Sequence, residues 1–354
     1  MQKERYGEID ALRGIAALMV VVFHFSKAKT DSIFLRFGVT GVDLFFIISG
    51  FVILMTLEKT THWKDFVISR LSRLYPTYWA CVTLTAIIVI TKFFLQEPYS
   101  KLAFVYGANL TMFQQYFHVA DLDAPYWTML VEMIFYVFML LVFITKQLKN
   151  IEILGAVILL PIFVYSTDWF RNAHTNTFET IRFYIPLVNH FPLFFTGILF
   201  YKIKFNGGSL ARYSLLLLSF LVQLFLFNDG GRSYVFISFL PYVIMLVIYY
   251  AVFSLYVRGH LGFIKTKLLL FLGSISFSLY LFHEVFGTEV VIPQLIKIFG
   301  FNYWVAASLA VFVVIGTAYL ISILVERPAM TYIRQKFIKS KEAKSVQVAL
   351  IAVK

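Results

Sequence analysis

The sequence predicts an all-α polytopic membrane protein, a bundle of about ten transmembrane helices with both termini in the cytoplasm. Three observations predict this class: an apolar composition, a series of apolar windows of membrane-spanning length, and an uneven distribution of basic residues. Of the 354 residues, 60% are hydrophobic and 19% are aromatic, whereas only 14% are charged. A soluble domain of this length does not need so much apolar surface.

Ten apolar windows, bounded by charged or turn residues, are the candidate spans. They cover residues 12–25, 38–57, 75–91, 127–145, 151–165, 186–200, 213–227, 234–256, 268–286 and 303–325. The first window lacks the small-residue cleavage site of a signal peptide. We therefore expect it to remain as the first transmembrane helix.

Basic residues are distributed unevenly between the two sides of these windows. Of the 31 lysines and arginines, 22 fall at the termini and in the loops on their side, and 9 fall in the opposite loops. This asymmetry predicts that both termini are cytoplasmic. The lipid bilayer then explains the net charge of +12 without nucleic acid, because anionic headgroups attract basic loops. We expect a transmembrane domain over 1–335 and a basic cytoplasmic tail over 336–354.

Ionisable side chains in four separate windows are predicted to lie at one depth, near the outer surface. His24 is near the outer end of the first window, and Asp43 is near the outer start of the second. Glu132 lies about five residues into the fourth window, or roughly 8 Å along a helix. His283 and Glu284 lie at a similar depth in the ninth window. Because buried charges need partners, a shared polar cavity that contains His24 is the simplest interpretation.

An imidazole beside a carboxylate can remove a proton from a hydroxyl group. We therefore predict catalytic roles for His24, Glu132, Asp43 and His283. No serine or cysteine is evidently paired with His24 as a nucleophile, so an acyl group would pass directly to an acceptor hydroxyl or rest briefly on His24. The alternative is that these residues are hydrogen-bonded packing residues. The histidines lack the local spacing of a metal site, so no metal is expected.

A second group of charged residues is predicted at the cytoplasmic side. Arg70 and Arg73 are three residues apart, so on a helix they project from one face, as binding of a phosphate requires. Arg13 adds a third cation. We predict that these three bind a phosphate-bearing ligand, the alternative for the pair being a positive-inside anchor. Pro76 is expected to start the next span, and Glu326 to form a salt bridge with one of the arginines.

Two further features have two interpretations each, and a third has one expected role. The outer loop over 92–126 mixes polar and aromatic side chains, which could hold a sugar or could be ordinary interfacial residues. Ser276 and Tyr280 are four residues apart and share a helix face, either lining the cavity or packing. Ser49 is expected to form an interhelical hydrogen bond.

Taken together, these residues resemble the acyltransferase type 3 family of integral membrane O-acyltransferases, which modify bacterial surface glycans. The resemblance covers almost the whole chain in family order. Its motifs are Arg13 and His24 with ten residues between them, GVDLFFIISGF at 41–51, the Arg70 and Arg73 pair, WTMLVE at 127–132, SFSLYLFH at 276–283 and VERP at 325–328. Each motif alone is weak, whereas the ordered set is specific.

The resemblance implies about ten helices, a cytoplasmic acyl-coenzyme A donor such as acetyl-CoA, and an acceptor sugar hydroxyl reached from the other side. It implies a catalytic role for His24, donor handling by Arg70 and Arg73, and supporting roles for Arg13 and Glu132. Some larger relatives carry a soluble esterase-like domain that completes transfer outside the membrane. We expect that domain to be absent here and transfer to be completed within the membrane, because His24 is placed near the outer face.

The predicted function is therefore that of an O-acetyltransferase in the cytoplasmic (inner) membrane of a bacterium. It would move an acyl group from acyl-CoA on the cytoplasmic side to a glycan or lipid-linked saccharide on the outer side. A transporter of an acyl group or small anion, with His24 and Glu132 as a proton relay, is the main alternative. A membrane scaffold in a polysaccharide-export complex is another.

Overall fold

The computed structural model describes residues 6–27, 29–30, 32–93, 98–229 and 233–339, and every regular element in these residues is helical. The helices of eight or more residues are α1 (Gly7–Ser26), α2 (Gly41–Glu58), α3 (Trp63–Phe93), α4 (Tyr99–Leu110), α5 (Trp127–Ile144), α6 (Ile151–Tyr165), α7 (Thr175–Tyr184), α8 (Phe191–Asn206), α9 (Leu210–Phe225), α10 (Phe239–Val257), α11 (Lys267–Phe282), α12 (Ile292–Phe299), α13 (Tyr303–Ile321) and α14 (Arg327–Arg334). The predicted all-α class is confirmed. Most of the predicted tail, from residue 340 onward, lies outside the described residues.

Eight stretches of the described chain are long and apolar enough to cross a membrane. They are residues 7–26, 33–58, 63–92, 124–144, 148–165, 210–228, 239–257 and 303–338. A ninth candidate consists of α11 and the helical segment Phe286–Phe299, which meet at an angle of 70°. Each of the ten predicted windows coincides with a helix. The sixth coincides with α8, which has 16 residues and is buried at every position from Phe191 to Ile203. The protein is therefore a multi-pass membrane protein.

The predicted boundary at Pro76 is wrong. Helix α3 continues through this proline from Trp63 to Phe93, so Arg70 and Arg73 belong to a spanning helix and not to a separate interfacial segment. Transmembrane helices tolerate an internal proline because neighbouring groups can satisfy the carbonyl that it leaves unbonded. Both arginines therefore lie on the early turns of α3.

Helix α1 lies in the middle of the bundle and packs against α2, α11 and α13. Glycines make the closest contacts possible. A Cβ atom on Gly273 would lie 1.9 Å from the carbonyl oxygen of Asp10, and one on Gly14 would lie 2.7 Å from that of Leu269. The backbones of α1 and α11 are thus in direct contact, in the manner of small-residue interfaces in membranes. Gly197 allows the same close approach between α8 and α2.

Helix direction places the functional residues at two ends of the bundle. His24 and His283 lie where α1 and α11 end, and α5 and α8 begin at the same level; we call this the histidine end. Arg13 lies near the start of α1, beside the early turns of α3 and beside α14; we call this the arginine end. The buried core between these two ends consists mostly of apolar side chains.

Polar side chains of the loop over 92–126 form hydrogen bonds within the loop and with the chain near Phe183. Gln114 Nε2 donates to Asp121 Oδ1 at 2.6 Å, and Gln115 Nε2 donates to the carbonyl oxygen of Phe183 at 2.6 Å. The amide of Asn109 is buried and donates to two backbone carbonyls. These contacts favour the structural interpretation of the loop over sugar binding. Residues 94–97 of this loop are outside the described part of the chain.

Candidate active site

The packing of α1 against α11 brings His24 into contact with His283. The Nε2 atom of His283 lies 2.9 Å from Nδ1 of His24, although the residues are 259 positions apart in the chain. His283 is fully buried, and 12% of the His24 side chain is exposed. Two of the four predicted catalytic residues are therefore direct neighbours.

Hydrogen-bond partners assign the protons on the two rings. Nδ1 of His283 lies 2.9 Å from the carbonyl oxygen of Tyr280 and 3.2 Å from that of Leu279, and carbonyls only accept, so this nitrogen carries a proton. A neutral His283 then accepts at Nε2. Nδ1 of His24 donates to it, with the carbonyl oxygen of Val20 at 3.0 Å as a second acceptor. The Nε2 atom of His24 is left to take up or release a proton.

Glu284 is the carboxylate that the structure places against His24, although it is absent from the predicted catalytic set. Its Oε2 lies 3.2 Å from His24 Nε2, and its Oε1 lies 2.5 Å from Lys27 Nζ. A carboxylate and an imidazole lone pair repel each other, so this geometry needs a proton on one of the two groups. A signal was present in the sequence, since consecutive ionisable residues inside an apolar window are costly to bury.

Asp123, immediately before α5, is a second buried carboxyl group at the histidine end. Its Oδ2 accepts a hydrogen bond of 3.3 Å from the backbone nitrogen of Val285. Burial raises the pKa of the Asp123 carboxyl well above its ordinary value, and the nearby Glu284 carboxylate raises it further.

His24 lines a cavity at the histidine end, which we call the histidine cavity. Its other polar and aromatic lining includes Lys27, Asp43, Trp127 and His190. Asp43 is buried, and no described residue forms a hydrogen bond with its Oδ2 atom. Asp43 therefore shares a cavity with His24, as the depth argument predicts. Sequence analysis did not identify His190. This residue lies just before α8, in the sixth predicted window, whose start is marked only by Pro186.

Glu132 lies in a second cavity, the central cavity, which is separate from that of His24. This cavity is also lined by the three predicted donor-binding residues, Arg13, Arg70 and Arg73. Glu132 Oε1 accepts hydrogen bonds from the hydroxyl of Tyr136 and from that of Ser49, the latter at 3.3 Å. The interhelical hydrogen bond predicted for Ser49 is confirmed. The shared cavity expected from depth alone is thus divided in two, with Glu132 beside the arginines.

A wider pocket of about 580 Å³ opens at the arginine end, and we call it the arginine pocket. Its basic lining residues are Arg13, Arg73, Arg327 and Arg334. Arg334 donates to the carbonyl oxygen of Ser69 at 3.0 Å, which fixes α14 against the helix that carries Arg73. Glu326 lines the same pocket, and its Oε2 accepts a hydrogen bond of 2.9 Å from Ser278.

The three cavities adjoin one another in series along α1. Arg13, Arg73 and Ser276 line both the arginine pocket and the central cavity. Val42 and Tyr280 line both the central cavity and the histidine cavity. Arg13 and His24, eleven residues apart on one helix, are separated by roughly 16 Å. The series therefore joins a basic pocket at one end to an acid–base group at the other.

These cavities suit proton transfer and anion binding. Among the residues that the structure describes, no group of three or more histidine, cysteine, aspartate or glutamate side chains could hold a metal ion. The arginine end has the guanidinium groups that recognise phosphate. The histidine end has an oriented imidazole, with a carboxylate at its second nitrogen.

Comparison with known proteins agrees with the sequence motifs. A family model described as an acyltransferase domain matches residues 6–326. A candidate acetyltransferase of Acidianus two-tailed virus is 25% identical over 325 residues, which are 88% of this chain and 90% of that protein. Peptidoglycan O-acetyltransferase OatA of Listeria monocytogenes is 30% identical over 174 residues, which are 43% of this chain and 26% of that protein.

A candidate O-acetyltransferase of Staphylococcus aureus strain COL is 25% identical over 322 residues, which are 78% of this chain. The match covers 49% of the staphylococcal protein, so this chain corresponds to about half of it. No solved structure matches. Because the family model covers the residues of all three cavities up to Glu326, this chain is an acyltransferase and belongs to the acyltransferase type 3 family.

Proposed function

We propose that this enzyme transfers an acyl group, in the simplest case acetyl, from acyl-coenzyme A in the cytoplasm to a hydroxyl group of a cell-surface or lipid-linked polysaccharide. The series of three cavities, with arginines at one end and His24 at the other, is the observation that carries the proposal. The excess of basic residues on one side favours a cytoplasmic arginine end. The names of the bacterial relatives support O-acyl transfer.

In this mechanism the donor enters at the arginine end. Its phosphates bind the guanidinium groups of the arginine pocket, with Arg73 and Arg334 on adjacent helices. The pantetheine arm extends through the central cavity past Arg13 and Tyr280, and brings the thioester to the histidine cavity. Binding energy at the nucleotide positions the reacting carbonyl, and the buried cavity limits hydrolysis by water.

The transfer step uses His24 as a general base. The acceptor hydroxyl takes the place of Glu284 Oε2 beside the unprotonated Nε2 of His24, and this nitrogen removes the hydroxyl proton. Nδ1 keeps its own proton through the hydrogen bond to His283. The hydroxyl oxygen forms a bond with the thioester carbonyl carbon, and the carbon–sulfur bond then breaks. The departing thiolate takes the proton from Nε2, so the products are an O-acyl sugar and free coenzyme A. The Glu284 carboxylate stabilises the transient imidazolium, and Lys27 holds Glu284 in place through its ion pair with Oε1.

The test is acyl transfer in membranes of a strain that lacks the protein and is complemented with variants. The wild type should restore O-acyl groups on surface glycans, measured by mass spectrometry, and should release coenzyme A from acetyl-CoA. His24→Ala should lower both by about 100-fold or more, because a general base contributes about that much. His260→Ala, at an exposed position, should behave as the wild type. Full transfer by His24→Ala would contradict the proposal, and movement of the acyl label across the membrane without a product would indicate a transporter.

A further inference from the structure

Several buried polar atoms near the histidine end have no hydrogen-bond partner among the described residues, and three of them line two adjoining pockets. These three are Oδ2 of Asp43, Nδ1 of His190 and Oε1 of Gln223. The three residues are 5%, 3% and 3% exposed. A buried polar atom without a partner costs free energy, so most such atoms in proteins are bonded to protein or to a bound molecule. Three such atoms close together therefore point to a binding site for a polar ligand.

These atoms lie along one continuous surface. Asp43 and His190 line the histidine cavity with His24, and they also line a smaller adjoining pocket. That smaller pocket reaches Gln223 and Tyr242. The unpartnered atoms thus lie along a surface that begins beside His24 and continues into the smaller pocket.

An aromatic wall completes the surface. Trp127 is partly exposed and lines the histidine cavity, and its ring lies 5.3 Å from that of His190 between centroids. Sugars combine apolar C–H faces with hydroxyl edges. An indole face suits the former, and a carboxylate with an imidazole nitrogen suits the latter. By contrast, the central cavity presents three arginines, which suit a phosphate-bearing molecule.

We infer that Asp43, His190 and Trp127 form the binding subsite for the saccharide ring of the acceptor. Asp43 accepts hydrogen bonds from ring hydroxyls, His190 bonds a neighbouring hydroxyl, and Trp127 packs against the ring. This arrangement directs one hydroxyl towards Nε2 of His24. The inference rests on the proposed function, and it assigns Asp43 to acceptor binding instead of proton transfer.

The test separates binding from chemistry. Equilibrium binding of the methyl β-glycosides of glucose, galactose and N-acetylglucosamine is measured by calorimetry on the purified full chain in lipid nanodiscs, without a donor. At least one glycoside should bind the wild type. Asp43→Asn and Trp127→Phe should each weaken that binding about tenfold or more, because each removes a contact with the ring.

Matched controls lie away from the cavity. Asp65→Asn and Trp169→Phe carry the same chemical changes in the first turn of α3 and on an exposed surface, and they should bind as the wild type does. Thermal unfolding of each variant verifies that it is folded. In the transfer assay, Asp43→Asn should raise the KM for the acceptor and leave the KM for acetyl-CoA unchanged.

The outcomes distinguish the two proposals. If no glycoside binds the wild type, or if folded Asp43→Asn and Trp127→Phe bind as tightly as their controls, the subsite is overturned while acyl transfer can still stand. If the variants lose binding as expected but the wild type makes no O-acyl product, the subsite stands and the proposed reaction fails.

Discussion

At the scale of single residues, the orientation of the His24 imidazole is set by a partner on another helix. His283 directs its protonated Nδ1 at two backbone carbonyls, so its Nε2 can only accept from His24. This fixes one tautomer of His24 and leaves the reactive nitrogen facing Glu284. We therefore propose a positioning role for His283, because its ring is buried and its Nε2 contacts Nδ1 of His24.

This role predicts a specific kinetic effect at His283. In His283→Ala, kcat should fall by about 10- to 100-fold, because a hydrogen bond to a charged group contributes roughly 1.5–3 kcal/mol. The KM for acetyl-CoA should not change. His283→Gln should recover part of the loss, since its amide oxygen can accept from His24 while its NH₂ group donates to the carbonyls. Equal loss in both variants, measured by coenzyme A release, would contradict a positioning role.

At the scale of helices, the contact between α1 and α11 determines whether the histidines meet. Gly14 and Gly273 allow these two backbones to touch within one helical turn of Arg13. The same pair of helices carries His24 and His283 at the other end. A side chain that pushes α1 and α11 apart at this contact would therefore also separate His24 from His283.

We predict that Gly273→Ala destabilises the protein and lowers transfer together. The new Cβ would meet the backbone oxygen of Asp10 at 1.9 Å, and a backbone cannot move aside as a flexible side chain can. The cost of such overpacking is about 1–3 kcal/mol. The measurements are the thermal unfolding midpoint and kcat.

The matched control is Gly316→Ala on α13, where no atom lies within 4 Å of the new Cβ. This variant should be as stable as the wild type or more stable by up to about 1 kcal/mol, because alanine favours a helix over glycine. A lowered midpoint in Gly316→Ala, or an unchanged one in Gly273→Ala, would contradict the packing argument.

At the scale of the whole molecule, the proposed function depends on passage of the donor between the two ends. Among the described residues, the arginine pocket and the histidine cavity share no lining residue, and the central cavity adjoins both. An obstruction in the central cavity should therefore separate donor binding from acyl transfer.

Ser49, on α2, lines the central cavity, so a larger side chain at this position would form such an obstruction. Ser49→Leu should lower transfer about 100-fold, because misplacement of a reacting group by about 1 Å has an effect of that size. Binding of adenosine 3′,5′-bisphosphate at the arginine pocket should stay within about twofold of the wild type. Ser49→Ala removes the hydrogen bond to Glu132 but leaves the passage open, so it should retain most of the transfer. Equal transfer in the two variants would contradict a passage through the central cavity.

The sequence alone determined the class of the protein and the position of its spanning helices. Hydrophobicity, helix length and basic-residue bias are local properties, so the ten windows each coincide with a helix, and the ordered motifs indicated the family. Pro76 was misassigned because sequence cannot tell whether neighbouring helices will support a proline within a span.

Only the tertiary structure decided which ionisable residues meet. Depth along a helix is readable from sequence, but the rotation of each helix about its axis depends on packing against its neighbours. The sequence predicts one depth for Glu132 and His24. In the structure Glu132 bonds to Ser49, six residues along α2 from Asp43, and faces the arginines, whereas Glu284 faces His24. The orphaned atoms of Asp43 and His190 likewise appear only once α2 and α8 are packed together, because an unmet hydrogen bond is a property of the assembled bundle.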